Sequence, residues 1–326
     1  MRYKKLGKTQ IEISEIGLGT WAIGGGPWWG SSDEKQSIQA IEASIDCGIN
    51  LIDTAPAYGF GYSEEVVGKA IHGKRDKIVL STKCGLWWQD EQNNFAFEFD
   101  GRKVYKSLKA ETIKKELEIS LKRMNTDYID IYHTHWPDVT TDIEETALCL
   151  RSLQKEGKIR AIAVSNANIE ECKQYITRCE LSSNQLKYSM LDRSCENGMT
   201  DFCCENEISI LAYSPLEQGL LTGKIGIDTK FTDTQYRNSI PWYRPSNRIN
   251  VLNMLEKWQP LTEKYSCTLV QLVIAWTAAQ KGITSVLCGA RNIQHATENA
   301  AAMIDLSAED IDIIKKDILM LGEAHD

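Results

Sequence analysis

Several things are missing from this 326-residue chain, and each absence removes a class of protein. The ten cysteines (47, 84, 149, 172, 179, 195, 203, 204, 267 and 288) contain no C-x-x-C pair, and a chain this long needs no disulfide staples. Reduced thiols and a cytoplasmic location are expected. No apolar run approaches the roughly 20 residues of a membrane helix, and Met1-Arg2-Tyr3-Lys4-Lys5 leads into no export-signal core of roughly 7 to 15 apolar residues. Neither membrane nor export is expected. Cations are in deficit: 37 Lys and Arg against 45 Asp and Glu give a net charge of −8, without a basic cluster, which disfavours nucleic acid as a partner. Only seven prolines occur and no Pro-rich linker divides the chain, so it reads as a single domain over residues 1–326.

What is present is a repeating grammar. Ser32 or Asp33 can cap a helix that places Ile38, Ile41 and Ile45 on one face, Gly48 stands at its end, and Leu51-Ile52-Asp53-Thr54 follows as a strand. The pattern returns with Ile143, Ala147, Leu150 and Leu153, then Gly157, then Ile159 to Val164 running into Ser165-Asn166. Eight such strands end near Thr20, Thr54, Lys83, His135, Ser165, Gln185, Tyr213 and Gly289, the number a (β/α)₈ TIM barrel requires. Arg2 to Ile13, with Gly7-Lys8 at its middle, predicts an N-terminal β-hairpin plugging the bottom of the barrel. The long segments Gly85–Ser107 and Gln218–Asn250 are placed over the C-terminal face. A doubly wound open sheet is the alternative, because periodicity does not say whether eight strands close.

In a barrel, polar residues at the carboxyl ends of strands are the first candidates for chemistry. Asp53, Lys83 and His135 end three successive strands, and Tyr58 follows the first of them. Taken singly, each has a bland role as a cap, a solvated strand end or a core imidazole. Together they form a proton-donating set. An ammonium at Lys83 would lower the pKa of the Tyr58 phenol, Asp53 would hold the lysine, and His135 would donate to a substrate carbonyl. That set implies protonation of a developing alkoxide, and with it a bound hydride donor.

Gly17-Leu18-Gly19-Thr20-Trp21-Ala22 matches the loose G-x-G-x-x-G/A pattern, but it runs into Gly24-Gly25-Gly26-Pro27 instead of a helix. A loop at the barrel mouth is the better reading. The last strand offers a better phosphate site, where Val286 to Asn292 passes into a helix carrying Glu298 and Asn299. There Arg291 adds a fork of donors suited to a phosphate monoester.

These residues resemble the aldo-keto reductase family along essentially the whole chain. The resemblance rests on Gly17-Leu18-Gly19-Thr20-Trp21, Asn50 to Ala55 with Tyr58-Gly59, Ser81-Thr82-Lys83, Asp127 to Tyr132 with His135-Trp136, Ser165-Asn166, and Tyr213-Ser214-Pro215-Leu216 with Gly219-Leu220-Leu221. The chain looks nearest to a bacterial branch of stress and methylglyoxal reductases. The resemblance implies a barrel, NAD(P)H-dependent reduction of small or sugar-like aldehydes and ketones, and a catalytic tetrad of Asp53, Tyr58, Lys83 and His135. It implies cofactor contacts at Thr20, Trp21 and Asp53, nicotinamide contacts at Ser165, Asn166, Gln185 and Tyr213, and a pyrophosphate under Ser214, Leu216, Gly219, Leu220 and Lys224. The adenosine end falls to Gly289, Arg291, Gln294, Glu298 and Asn299, where Arg291 favours NADPH, with NAD the alternative.

Substrate is expected against Trp21, Trp29, Tyr58, Trp87, His135 and Trp136, with Trp28, Trp88 and Trp242 also assigned to the mouth. Two other functions are weighed. His133 and His135, two apart on a strand, could ligate a metal, but no carboxylate pair completes a set and no metal is expected. A nicotinamide-binding regulatory module without significant turnover is the second, set against the presence of all four tetrad residues.

Overall fold

In the computed structural model, which describes residues 1–232 and 235–325, eight parallel strands close into a ring. They are β1 (Ile16–Gly19), β2 (Leu51–Asp53), β3 (Val79–Cys84), β4 (Ile129–Thr134), β5 (Ile159–Ser165), β6 (Leu181–Lys187), β7 (Ser209–Tyr213) and β8 (Ile283–Gly289). Each pairs with its successor, and β8 returns to β1 with Val286 opposite Ile16 and Gly289 opposite Gly19. That last pairing excludes the open sheet. Every residue of β3 and of β4 is buried, as parallel strands covered on both faces must be.

The helices between strands obey the predicted punctuation. Asp33 accepts a hydrogen bond from the Gln36 amide at 2.8 Å to start the helix Glu34–Asp46. The helix Ile143–Lys155 buries Ala147, Leu150 and Leu153 against the strands, and Gly157 follows with φ of +76°. No helix among the described residues is long and apolar enough to cross a membrane.

Both ends of the barrel are covered. Tyr3–Lys5 pairs with Glu12–Ser14 as the expected hairpin, and its Leu6, Ile11 and Ile13 pack with inward-facing Leu51, Val79, Ile131, Leu211 and Leu287. The turn needs glycine: Gly7 has φ of +53°, and a Cβ there would stand 2.6 Å from the Ser182 carbonyl oxygen. The segment after β3 forms a three-stranded antiparallel sheet from residues 86–87, 94–99 and 102–106. The segment after β7 winds through short 3₁₀ turns before the helix Pro245–Glu256; its residues 233 and 234 lie outside the described residues.

Candidate active site

At the carboxyl ends of the strands lies a cavity of about 900 Å³. Its floor holds a fully enclosed ion pair. Inward-facing Lys83 donates from Nζ to Asp53 Oδ2 at 2.7 Å and to the Thr54 carbonyl at 2.9 Å. The other carboxylate oxygen, Oδ1, accepts from Ser81 Oγ at 2.8 Å and from Gln185 Nε2 at 2.9 Å. A buried pair survives only when its remaining donors and acceptors are satisfied, and here they are.

Tyr58 and His135 complete the group. Lys83 Nζ sits 4.9 Å from the Tyr58 ring centroid, and the Tyr58 and His135 rings meet edge-on at 5.8 Å. Burial raises the Tyr58 phenol above its ordinary pKa; Lys83 pulls the other way without overcoming it, and Asp53 adds to the rise. The expected lowering by Lys83 is present in direction, and burial outweighs it, so the phenol stays protonated. Burial works against the charge on Lys83, but Asp53 and the Tyr58 oxygen outweigh it and hold the ammonium above its usual value. Burial, then Lys83 and His133, keep His135 neutral, well below the usual imidazole value, and its Nδ1 has no partner among the described residues.

A groove leads from this floor along the ends of β5 to β8. Ser165 Oγ donates to the Gln185 carbonyl at 2.9 Å, Asn166 Nδ2 to the His135 carbonyl at 3.1 Å, and the Tyr213 hydroxyl to Asn166 Oδ1 at 2.9 Å. Asn166 and Ser214 are held in left-handed conformations (φ +59° and +60°), a strain that recurs at functional sites. Beyond them Glu217, Gln218 and Gly219 carry φ of +44°, +51° and +105°, a tight bend in which the Glu217 and Gly219 amides donate to the Ser214 and Leu216 carbonyls at 3.0 and 2.9 Å. Gln218 Oε1 is buried there without a partner. At the far end Gly289, Arg291, Glu298 and Asn299 line the groove, and Gly289 leaves it open because a Cβ there would meet nothing closer than 3.9 Å. An elongated groove with Lys224 and Arg291 along it and a Gln218 Oε1 without a partner among the described residues fits a dinucleotide.

The structure brings most of the sequence-derived residues to this cavity, including Thr20, Trp21, Trp29, Trp136, Leu216 and Lys224. Others fall elsewhere. Trp87 turns away because neighbours on a strand alternate: Leu86 lines the cavity while Trp87 is buried behind it, donating from Nε1 to Asp90 at 3.0 Å. Trp88 packs on Phe60, Trp242 packs against the core, and neither lines the cavity. Leu220 is fully buried in the core under the groove. Gln294 is exposed, whereas His295, Glu298 and Asn299, spaced three and four apart, turn one helical face inward.

Sequence reasoning missed Lys106, Lys187, Tyr236, Arg237 and His295, all of which line the cavity. His295 had a signal, the helical spacing just given. Arg237 had none: it reaches Gln218 O from Nε at 3.0 Å out of a loop without periodicity. His133 does not join His135 as a ligand. It lies enclosed between Ser81 Oγ at 3.3 Å and Ser183 Oγ at 3.4 Å, and burial pushes it down to about 3. No group of three or more potential ligand side chains is assembled among the described residues.

Comparison with known proteins agrees with this geometry. The model of the aldo/keto reductase family matches residues 15–318. An NADH-specific methylglyoxal reductase of Escherichia coli is 44% identical over 97% of this chain and 98% of its own. The aldo-keto reductase YhdN of Bacillus subtilis is 42% identical over 89% of this chain and 85% of its own. A glycerol dehydrogenase from Gluconobacter oxydans superposes with a TM-score of 0.89 at 32% identity, over 99% of this chain and 97% of that one. The chain belongs to the aldo/keto reductase family and is an NAD(P)H-dependent oxidoreductase.

Proposed function

We propose that this protein reduces small or sugar-like aldehydes and ketones, of the methylglyoxal type, to alcohols, with Tyr58 as the proton donor. The observation that carries the reading is the enclosed Lys83 ammonium, held by Asp53 and set 4.9 Å from the Tyr58 ring at the floor of an aromatic-walled cavity. A reduced nicotinamide bound in the groove supplies the hydride that reaches the carbonyl carbon. Tyr58 gives its phenolic proton to the carbonyl oxygen, and the resulting phenolate is stabilised by Lys83. Neutral His135 donates one ring N–H to the same oxygen and orients it. Trp21, Trp29 and Trp136 form apolar walls that exclude water while the proton moves.

Ser165, Asn166 and Gln185 are assigned to the carboxamide, Tyr213 to the nicotinamide face, and the bend from Ser214 to Gly219 with Lys224 to the pyrophosphate. At the adenosine end Arg291 favours a 2′-phosphate, while two facts favour NADH. Arg291 already donates to the Ser31 carbonyl at 2.6 Å and the Trp29 carbonyl at 3.5 Å, and Glu298 faces the same groove. NADPH and NADH are therefore both named and are to be compared directly. Ten free cysteines support a reducing, cytoplasmic location.

Replacing Tyr58 by Phe tests the reading. Turnover of methylglyoxal, followed at the NAD(P)H absorbance, should fall by about 10²- to 10⁴-fold, with cofactor affinity by fluorescence quenching nearly unchanged. Near-normal reduction by that variant would remove Tyr58 as donor. A wild-type protein that binds the dinucleotide and reduces no carbonyl would instead favour a binding module.

A further inference from the structure

Among the described residues five cations line the cavity, and four of them are spoken for. Lys187 is paired with Asp192 at 3.2 Å and Glu217 at 3.3 Å, and Lys224 with Glu298 at 3.2 Å. Arg237 donates to Gln218 O from two nitrogens, and Arg291 to Ser31 O. The fifth is Lys106, the last residue of the strand at 102–106, opposite Leu86 in one register and Asn94 in the other. Its ammonium lies 5.5 Å from the centroid of Trp136, and it forms no ion pair or hydrogen bond with any described residue.

Its surroundings give that charge a purpose. Lys106 is half-buried, and its neighbours in the cavity wall, Leu86, Ala96, Phe97 and Trp136, offer it no anion. Among the described residues, two carboxylates line the cavity. Asp53 is neutralised by Lys83, and Glu298 stands at the far end of the groove beside Lys224. An ammonium in a half-dry aromatic wall is poorly solvated, and its field is weakly screened there. On a chain of net charge −8, it is a local exception that attracts an anion to the substrate end.

We infer that Lys106 is a specificity-determining residue, selecting carbonyl substrates that carry an anionic group, a carboxylate or a phosphate, at the end remote from the carbonyl. The inference rests on the reductase reading above and narrows its substrate class. No new step is added: the carbonyl carbon is reduced and Tyr58 gives up its proton as before, while Lys106 holds the charged tail against Trp136. Lysine suits this as a point charge on a flexible stem, adaptable to either anion.

The test is a ladder of ω-oxo carboxylates of three to six carbons, each against the neutral aldehyde of equal length, with glyceraldehyde 3-phosphate against glyceraldehyde as the phosphate arm. The wild-type kcat/KM should favour the charged member of at least one pair by about tenfold, chiefly through KM, and raised salt should shrink the advantage. The carboxylate and phosphate arms tell which anion is preferred. In Lys106→Met the charged-to-neutral ratio should fall to near one, and in Lys106→Arg most of it should return. Dinucleotide quenching titrations on each variant report that the groove is still folded. Equal kcat/KM within every wild-type pair, or a preference that persists in Lys106→Met, overturns the inference and leaves the reductase reading standing. Absence of NAD(P)H oxidation with every aldehyde overturns that reading instead.

Discussion

Gly24 and Tyr58 are in backbone contact: a Cβ on Gly24 would lie 2.7 Å from the Tyr58 carbonyl carbon and 2.9 Å from the Gly59 amide nitrogen. The glycine-rich loop after β1 is thus the rest against which the loop bearing the phenol is seated. Gly59, with φ of +65°, meets it from the other side.

Substituting Gly24 by Ala should push the Tyr58 loop away from Lys83 without touching the dinucleotide groove. A misplacement near 1 Å costs about 10²-fold in rate. Steady-state kinetics should show kcat reduced by about that factor, with the dinucleotide dissociation constant within about twofold of wild type.

The pH dependence of the reverse reaction reads the same pair. If Tyr58 is the proton donor as proposed, alcohol oxidation needs it as phenolate, and the rate should rise with pH through the phenol's titration. Burial sets that titration above the ordinary value, and Lys83 restrains it. Removing the cation in Lys83→Met should move the profile further to the alkaline side and lower the maximum. A profile shifting to the acid side would contradict the assigned role of Lys83.

Nucleotide choice is separable from chemistry. If Arg291 contacts a 2′-phosphate, Arg291→Ala should weaken NADPH by about tenfold or more, as for a lost charge-assisted hydrogen bond, and weaken NADH far less. Equal effects on both nucleotides would mean that its role is to tie the loop at Trp29 and Ser31 across the groove.

Glu116 offers a stability test away from the site. It is buried, accepts from the Gly85 amide at 2.7 Å, and burial holds its carboxyl well above the ordinary value. A carboxyl raised in the folded state stays protonated there while the unfolded chain ionises, so stability falls as pH climbs past the unfolded value. Glu116→Gln keeps an acceptor for Gly85 and removes the titration. Its melting temperature should exceed wild type more at pH 8 than at pH 5.

The base of the barrel should be as sensitive as any core. Leu6 is fully buried among inward-facing strand residues, and Leu6→Ala should cost about 2–5 kcal/mol in urea unfolding.

Much of this was legible in the sequence because barrel chemistry sits at strand ends, and strand ends are marked by a polar residue closing an apolar run. Asp53, Lys83 and His135 were found by that rule, whereas Ser165, Gln185 and Tyr213 were placed at strand ends by it and given their site roles by the family resemblance. It also placed the hairpin, whose Gly7 marks the turn. Trp87 and Leu86 were exchanged because a two-residue strand carries no alternation from which to read its faces. Gln294 and His295 were exchanged because the helix phase depends on where the chain leaves β8. Tyr236 and Arg237 arrive from 3₁₀ turns without a period, so nothing local points them at the cavity. The phenol's raised pKa could not be inferred from composition, since the contest between burial and a neighbouring cation is decided by depth.

The plug formed by Leu6, Ile11 and Ile13 has a consequence for each catalytic cycle. Beside the ion pair the interior holds Ser81, His133 and Ser183, all fully buried, and the hairpin's hydrocarbon closes the base, so Lys83 and Tyr58 have a sealed floor. If Tyr58 is the proton donor as proposed, it recovers its hydrogen from above, through the same opening by which the alcohol departs. Resetting the enzyme is thereby tied to emptying it.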